Sequence, residues 1–322
     1  MDKQCGWLFQ PTDFRLPEAA KPAELAGVGA GGAAEHDGRG KLPSDSNSFP
    51  IALRTITCKT ILNCSSICDY TLNCYVGCTH GCGYCYARFM QRFRPHEEPW
   101  GKFVDIKANA VEALYRQLRR VPPGKVFVSS ACDGWQPVEN EFRLTRECCR
   151  LLLERDFQLR ILTKSSLVSR DFDLFVGKPV QLGVTITTLD ERLARIWEPG
   201  AASPRERLDV LRHARELGLN TVVMFGPLPP YLADDVPSLR ELFETAAQLK
   251  VKRIWVDALN RRPKVWPAVA RTLAIHFPEL QTRYRSILFE ASSRQAYLAQ
   301  LARNVELAAK LAGTKSRVEI CF

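Results

Sequence analysis

From about residue 51 onward, short apolar runs alternate with segments of helical period. Six runs are rich in β-branched and large apolar side chains: 69–74 (DYTLNC), 125–130 (KVFVSS), 157–163 (FQLRILT), 180–187 (VQLGVTIT), 219–225 (LNTVVMF) and 252–258 (KRIWVDA). Their length and near-continuous hydrophobicity predict strands of a buried parallel sheet. Between them, Val111, Leu114, Tyr115 and Leu118 follow the i, i+3, i+4, i+7 rule, and Leu144, Cys148, Leu151 and Leu152 repeat it. A third helix is marked at both ends. Ser203-Pro204-Arg205-Glu206 reads as a capping box with proline in the first turn, Leu208, Leu211 and Leu217 form the apolar face, and Gly218 supplies the stop.

Six strands alternating with helices predict an α/β fold, either a barrel or a doubly wound sheet. In both, chemistry collects at the C-terminal ends of the strands. Beyond residue 262 the pattern is helical, with 291–312 the longest stretch, expected to pack on the barrel or close its open side. Residues 17–50 contain seven Ala, six Gly and four Pro, half of that stretch, which reads as a disordered tail or linker. The expected organisation is therefore a tail over 1–50, a core over 51–262 and a helical extension over 263–322.

Composition narrows the class. Hydrophobic residues are 46% and charged residues 25% of the 322, which excludes a wholly disordered or fibrous chain. No apolar run reaches the roughly 18 residues of a spanning helix. The start, MDKQCGWLFQPTDFR, has no apolar core of a secretory signal, so the expected location is the cytoplasm, with no membrane partner. Formal net charge is +10; residues 1–50 hold five basic and seven acidic side chains, so the remainder carries +12. Such a body suits an anionic partner such as nucleic acid, and equally a solvated cationic surface.

The cysteines carry the chemistry. Of twelve, seven fall between Cys58 and Cys85. Clustering in a chain that is neither small nor visibly secreted points to metal or redox chemistry, not a disulfide scaffold. Cys78, Cys82 and Cys85 form C-x3-C-x2-C directly after the first predicted strand. Thiolates ligate iron–sulfur clusters, and three of them leave one iron of a cubane open. Gly77, Gly81 and Gly83 let a loop wrap closely around such a group. With Cys74 or His80 as a fourth ligand, the same residues could bind zinc.

C-x3-C-x2-C after the first strand of a βα barrel resembles the radical S-adenosylmethionine (SAM) superfamily. The longer string GCTHGCGYCYARFM resembles its spore photoproduct lyase-like branch, as do CDGWQP (132–137), LTKSS (162–166), TITTLDERL (185–193), EPGAASPRERL (198–208) and FGPLPP (225–230). The resemblance covers about 51–262. It implies a partial (β/α)6 TIM-type barrel of the radical SAM kind with a helical C-terminal extension. It further implies an enzyme with a [4Fe–4S] cluster on Cys78, Cys82 and Cys85 and with S-adenosyl-L-methionine as cofactor. Reductive cleavage to a 5′-deoxyadenosyl radical would be followed by hydrogen abstraction from a substrate, with a DNA photoproduct as the branch's example. A reducing partner such as flavodoxin or ferredoxin follows. RNA, a peptide or a small molecule as substrate, and a non-catalytic metal- or nucleic-acid-binding protein, are the alternatives.

The resemblance also implies roles for single residues. Tyr84, Tyr86 and Cys132 correspond to hydrogen-relay positions, although Cys132 is offset by two residues and Ser130 stands at the donor's place. The Gly-Gly-Glu-like strand of many members is missing, and Ser129, Ser130 and Lys164 are the expected contacts to the methionine part of SAM. Asp133, Trp135 and Gln136 are expected at the pocket mouth, and Glu198 with Arg207 as a structural ion pair. Cys58, Cys64, Cys68 and Cys74 are candidates for an extra cluster. Arg88, Arg92 and Arg94, and Arg261, Arg262 and Lys264, are candidates for a phosphate-tracking groove. The oligomeric state is not legible.

Overall fold

All six apolar runs form strands, and among the described residues five further strands join them. The computed structural model describes residues 50–262 and 264–322; the tail expected over 1–50 lies outside the described residues but for Pro50. The strands are β1 (Ala52–Ile56), β2 (Leu62–Cys64), β3 (Tyr70–Leu72), β4 (Tyr75–Val76), β5 (Phe103–Lys107), β6 (Lys125–Val128), β7 (Gln158–Thr163), β8 (Val180–Ile186), β9 (Asn220–Leu228), β10 (Arg253–Ala258) and β11 (Val318–Ile320). The helices are α1 (Ala110–Gln117), α2 (Glu139–Phe142), α3 (Leu144–Leu153), α4 (Phe172–Phe175), α5 (Glu191–Trp197), α6 (Pro204–Glu216), α7 (Val236–Gln248), α8 (Val265–His276), α9 (Gln281–Phe289) and α10 (Ala291–Leu311).

Strands β3, β6, β7, β8, β9 and β10 lie side by side in chain order, each parallel to the next. Helices connect them, as a parallel sheet requires. This is the partial barrel: an open, six-stranded parallel sheet with β2 antiparallel on one edge and β11 parallel on the other. The register pairs Leu72 with Val128, Val128 with Ile161 and Ile161 with Leu182. All four side chains are fully buried, so the strand ends reach a common level above a dry core.

The C-terminal segment was expected to be helical. Helices α8, α9 and α10 are present, but the chain then returns to the sheet as β11, whose Glu319 accepts from Trp255 Nε1 at 2.9 Å. Three residues give no readable period, so only tertiary pairing reveals this strand.

A second sheet, ordered β1-β5-β4, stands beside the barrel. Its short strand β4 hands the chain to the cysteine loop, which fixes where that loop begins. The capping box is present as read. Glu206 N–H donates to Ser203 Oγ at 3.2 Å, Ser203 N–H donates to Glu206 Oε2 at 2.7 Å, and Gly218 at φ +77 ends α6.

Candidate active site

The loop from Gly77 to Cys85 is held by three neighbours. Gln136 donates from Nε2 to the Gly77 carbonyl at 3.2 Å and accepts from Thr79 N–H at 3.0 Å. Gly83 N–H donates to the Trp197 carbonyl at 2.8 Å, and Gly200 N–H donates to the His80 carbonyl at 3.0 Å. The loop and the segment after α5 touch backbone to backbone: a Cβ on Gly200 would fall 2.4 Å from the Thr79 carbonyl oxygen. Gly77, at φ +90, would place a Cβ 2.4 Å from the Phe103 carbonyl oxygen. A side chain there would displace the turn that delivers Cys78.

Cys78, Cys82 and Cys85 line one cavity of about 200 Å³. His80, Tyr84, Tyr86, Ser129, Ser130, Cys132, Asp133, Lys164, Thr185, Asp257, Asn260 and Arg262 line the same space. All nine site residues expected from sequence are thus brought together at the C-terminal ends of the parallel strands. Burial pushes the Cys82 thiol up to about 12, against the opposing pull of Lys164. Burial, then Asp133 and the neighbouring thiols, raise Cys78 well above the ordinary cysteine value. Three thiols that resist ionisation together become stable thiolates only when a cation shares their charge.

Asp133 organises the wall opposite in sequence. Its carboxylate accepts from Thr163 Oγ1 at 2.7 Å, Lys164 N–H at 2.8 Å and Trp135 N–H at 2.9 Å, and it faces His80 Nδ1 at 3.5 Å. The Lys164 backbone is therefore fixed at the end of β7, and its Nζ lies 5.6 Å from the centre of the Tyr84 ring. Ser129 adopts φ +66, and its Oγ is buried without a hydrogen-bond partner among the described groups. Asn73, at the end of β3, holds the neighbouring turn: Nδ2 donates to Ser130 Oγ at 3.2 Å, and Oδ1 accepts from Ala131 N–H at 2.8 Å and from the Cys132 thiol at 3.9 Å.

The two tyrosines diverge. Tyr84 donates its hydroxyl to Glu198, which also forms a buried ion pair with Arg207 and accepts from Thr187 Oγ1 at 3.2 Å. The expected Glu198–Arg207 pair is therefore present. Burial alone would raise Glu198, but Arg207 and Lys164 outweigh it and hold the carboxyl below its usual range. Tyr86 donates instead to the backbone carbonyl of Ser130. Burial pushes Cys132 up to about 12, so it keeps its S–H at neutral pH.

The donor set fits an iron–sulfur cluster on the three cysteines. The buried Trp100 indole N–H lies beside Cys85 and favours its thiolate, against burial, which is the larger effect and raises that thiol. Such a donor suits a ligand sulfur that carries negative charge. Of the two candidate fourth ligands of a zinc site, Cys74 is turned away, with Sγ 3.7 Å from Cys148 Sγ, while His80 lines the cavity with its ring facing Asp133.

A family model described as the radical SAM superfamily matches residues 72–243. The chain belongs to the radical SAM superfamily. It is an enzyme of that class, whose cofactors are a [4Fe–4S] cluster and SAM. An uncharacterized protein of Methanocaldococcus jannaschii is 36% identical over 166 residues, spanning 51% of this chain and 62% of that protein. An uncharacterized protein of Mycobacterium tuberculosis strain H37Rv is 30% identical over 251 residues, 74% of each chain. Among solved structures, spore photoproduct lyase complexed with dinucleoside spore photoproduct superposes with a TM-score of 0.61 at 13% identity, covering 84% of this chain and 82% of that one. A variant of that lyase with bound AdoMet and the same dinucleoside gives 0.62 at 11% identity, with 84% and 82% covered. At such identities the likeness shows the shared fold.

The expectation that Asp133, Trp135 and Gln136 line the pocket mouth is corrected. Trp135 is fully buried and donates from Nε1 to Asp171 at 2.8 Å, while Gln136 braces the cysteine loop; only Asp133 of that trio lines the cavity. The early cysteines Cys58, Cys64, Cys68 and Cys74 do not line it either. Arg94 pairs with buried Asp105, and Arg88 donates to the Cys82 carbonyl at 3.0 Å, so these two brace structure. Sequence reasoning gave no individual role to Asn73, Asp257 or Asn260, although 257–260 reads as a polar loop at a strand end. Each is a polar residue at or just past a strand end, the one signal that could have found them.

Proposed function

We propose that this radical SAM enzyme abstracts a hydrogen atom from a nucleic-acid base, as in the splitting of a pyrimidine photoproduct. The core over 51–262 would carry the chemistry and 263–322 would form the helical extension. One observation supports the reading above the rest: the three cysteines, the expected methionine contacts and the hydrogen-donor candidates share one small cavity. In this reading Cys78, Cys82 and Cys85 hold the cluster, and the Lys164 ammonium pairs with the carboxylate of SAM. The unpartnered Ser129 hydroxyl and Ser130 supply its remaining polar contacts. Bound there, the cofactor pair would supply radical chemistry for hydrogen abstraction.

The chain's own residues then shape the outcome. Cys132, protonated and oriented by Asn73, gives a hydrogen atom to the product radical. Tyr86, one carbonyl away through Ser130, would return a hydrogen atom to the Cys132 thiyl and recover its own from 5′-deoxyadenosine, which closes the balance. Tyr84 lies in the same wall, but its hydroxyl is committed to Glu198, so its part is to position Lys164 under its ring. Asp257, Asn260 and Arg262 offer acceptor, amide and cation to a polar, anionic substrate. A ferredoxin or flavodoxin would deliver the electron.

The test is anaerobic turnover of a UV-irradiated thymine oligonucleotide with SAM and dithionite. Repaired thymine formed with 5′-deoxyadenosine supports the proposal. 5′-Deoxyadenosine formed with the lesion untouched assigns the radical chemistry to RNA, a peptide or a small molecule.

A further inference from the structure

A second cavity of about 340 Å³ opens beside the first, lined by Arg261, Arg262, Lys264, Trp266, Pro267, Leu288 and Phe289. Arg262 lines both cavities, so the two are neighbours. Three cations and no acid face this space. Arg261 and Lys264 have no ion-pair partner among the described residues, unlike Arg54, Arg94, Arg146, Arg170 and Arg207. Phe289 is 61% exposed, and its ring meets Trp266 edge-on at 5.8 Å. An exposed phenyl ring beside an indole, next to Arg261 and Lys264, lies outside the core.

Helix α8 starts at this cavity. Its N-cap, Lys264, sits at φ +70 and contributes no side-chain cap. The positive end of the helix therefore adds to the field of the three cations.

We infer that this groove holds the single-stranded nucleic-acid segment flanking the nucleotide that enters the active-site cavity. Phosphates would run along Arg261, Arg262 and Lys264, and one base would stack on the exposed Phe289 ring, which Trp266 backs edge-on. Cation-plus-aromatic grooves bind single strands because every base has a stackable face and every linkage a charge. A single-stranded segment suits this place because a base must leave its stack to enter the neighbouring cavity. The inference rests on the nucleic-acid reading of the site and locates where the strand lies.

The experiment uses fluorescein-labelled dT12 with the reconstituted protein, read by anisotropy across a salt series. Compared are the wild type, Phe289→Ala, and the double variant Arg261→Glu/Lys264→Glu. None of these residues lines the cysteine cavity, so reductant-driven SAM cleavage is expected to persist in all three and reports intact folding. Phe289→Ala should weaken binding by about fivefold to a hundredfold with an unchanged salt slope. The double variant should weaken it at least as much and flatten the slope of log K against log salt by about 1.4, about 0.7 per cation. Wild-type binding that both variants retain would overturn the groove and leave the nucleic-acid reading standing. No binding of dT12 by the wild type, even at low salt, would overturn that reading itself. Displacement of dT12 by poly-glutamate at equal charge concentration would show a general anion surface and also overturn the inference.

Discussion

The Tyr86 hydroxyl donates to the backbone carbonyl of Ser130, two residues before Cys132. Asn73 ties down the same turn from the adjacent strand, through Ser130, Ala131 and Cys132. The relay candidates therefore reach one cavity although their register differs from the branch's pattern. Replacing Tyr86 by Phe removes the donor and keeps the ring. We expect a stability loss of about 1–3 kcal/mol from the unsatisfied carbonyl, and more SAM consumed per product formed. Equal coupling ratios in wild type and Tyr86→Phe would remove Tyr86 from the relay.

Glu198 and Arg207 are both buried, and Tyr84 and Thr187 complete the carboxylate's partners. Glu198→Gln strands a buried guanidinium, at a cost of about 3–5 kcal/mol. Thermal unfolding should show a midpoint about 10 °C lower. The folded carboxyl is held below its unfolded value of about 4.3, so its stabilisation is complete above that pH and fades as pH falls through the folded value. Acid unfolding of Glu198→Gln should accordingly lack that part of the pH dependence.

Asp257 behaves in the opposite sense. Burial raises its carboxyl to about 7, and its one hydrogen bond within the described residues is from Ala258 N–H at 2.9 Å. Its folded form holds a proton that the unfolded chain, with a carboxyl near 3.9, has already lost. Stability should decline from about pH 4 to about pH 7 on this account and level off above. Asp257→Asn should flatten that decline in denaturant titrations; an unchanged profile would place the carboxyl in water.

Cys58, Cys64 and Cys68 lie away from the cavity. Replacing all three with Ser should leave the iron content at about four per chain, the complement of one cubane. A fall in iron would establish a second cluster.

The repeating apolar runs made the parallel sheet legible, because a strand buried on both faces must be apolar at nearly every position. The cysteine triad was legible because its ligands are close in sequence. What was not legible depends on tertiary direction. Trp135 follows a strand end like a pocket residue, yet Asp171 draws its indole inward. Asp257 is an isolated acid at the end of β10, and nothing local distinguishes it from a solvated one. Strand β11 acquires its identity only by pairing Ile254 with Val318.

The most direct measurement is 5′-deoxyadenosine produced anaerobically from SAM and dithionite by the reconstituted wild type and by Cys82→Ala. The account predicts a reductant-dependent product from the wild type and none from the variant, whose barrel remains folded by circular dichroism. Product from Cys82→Ala equal to that of the wild type would contradict it.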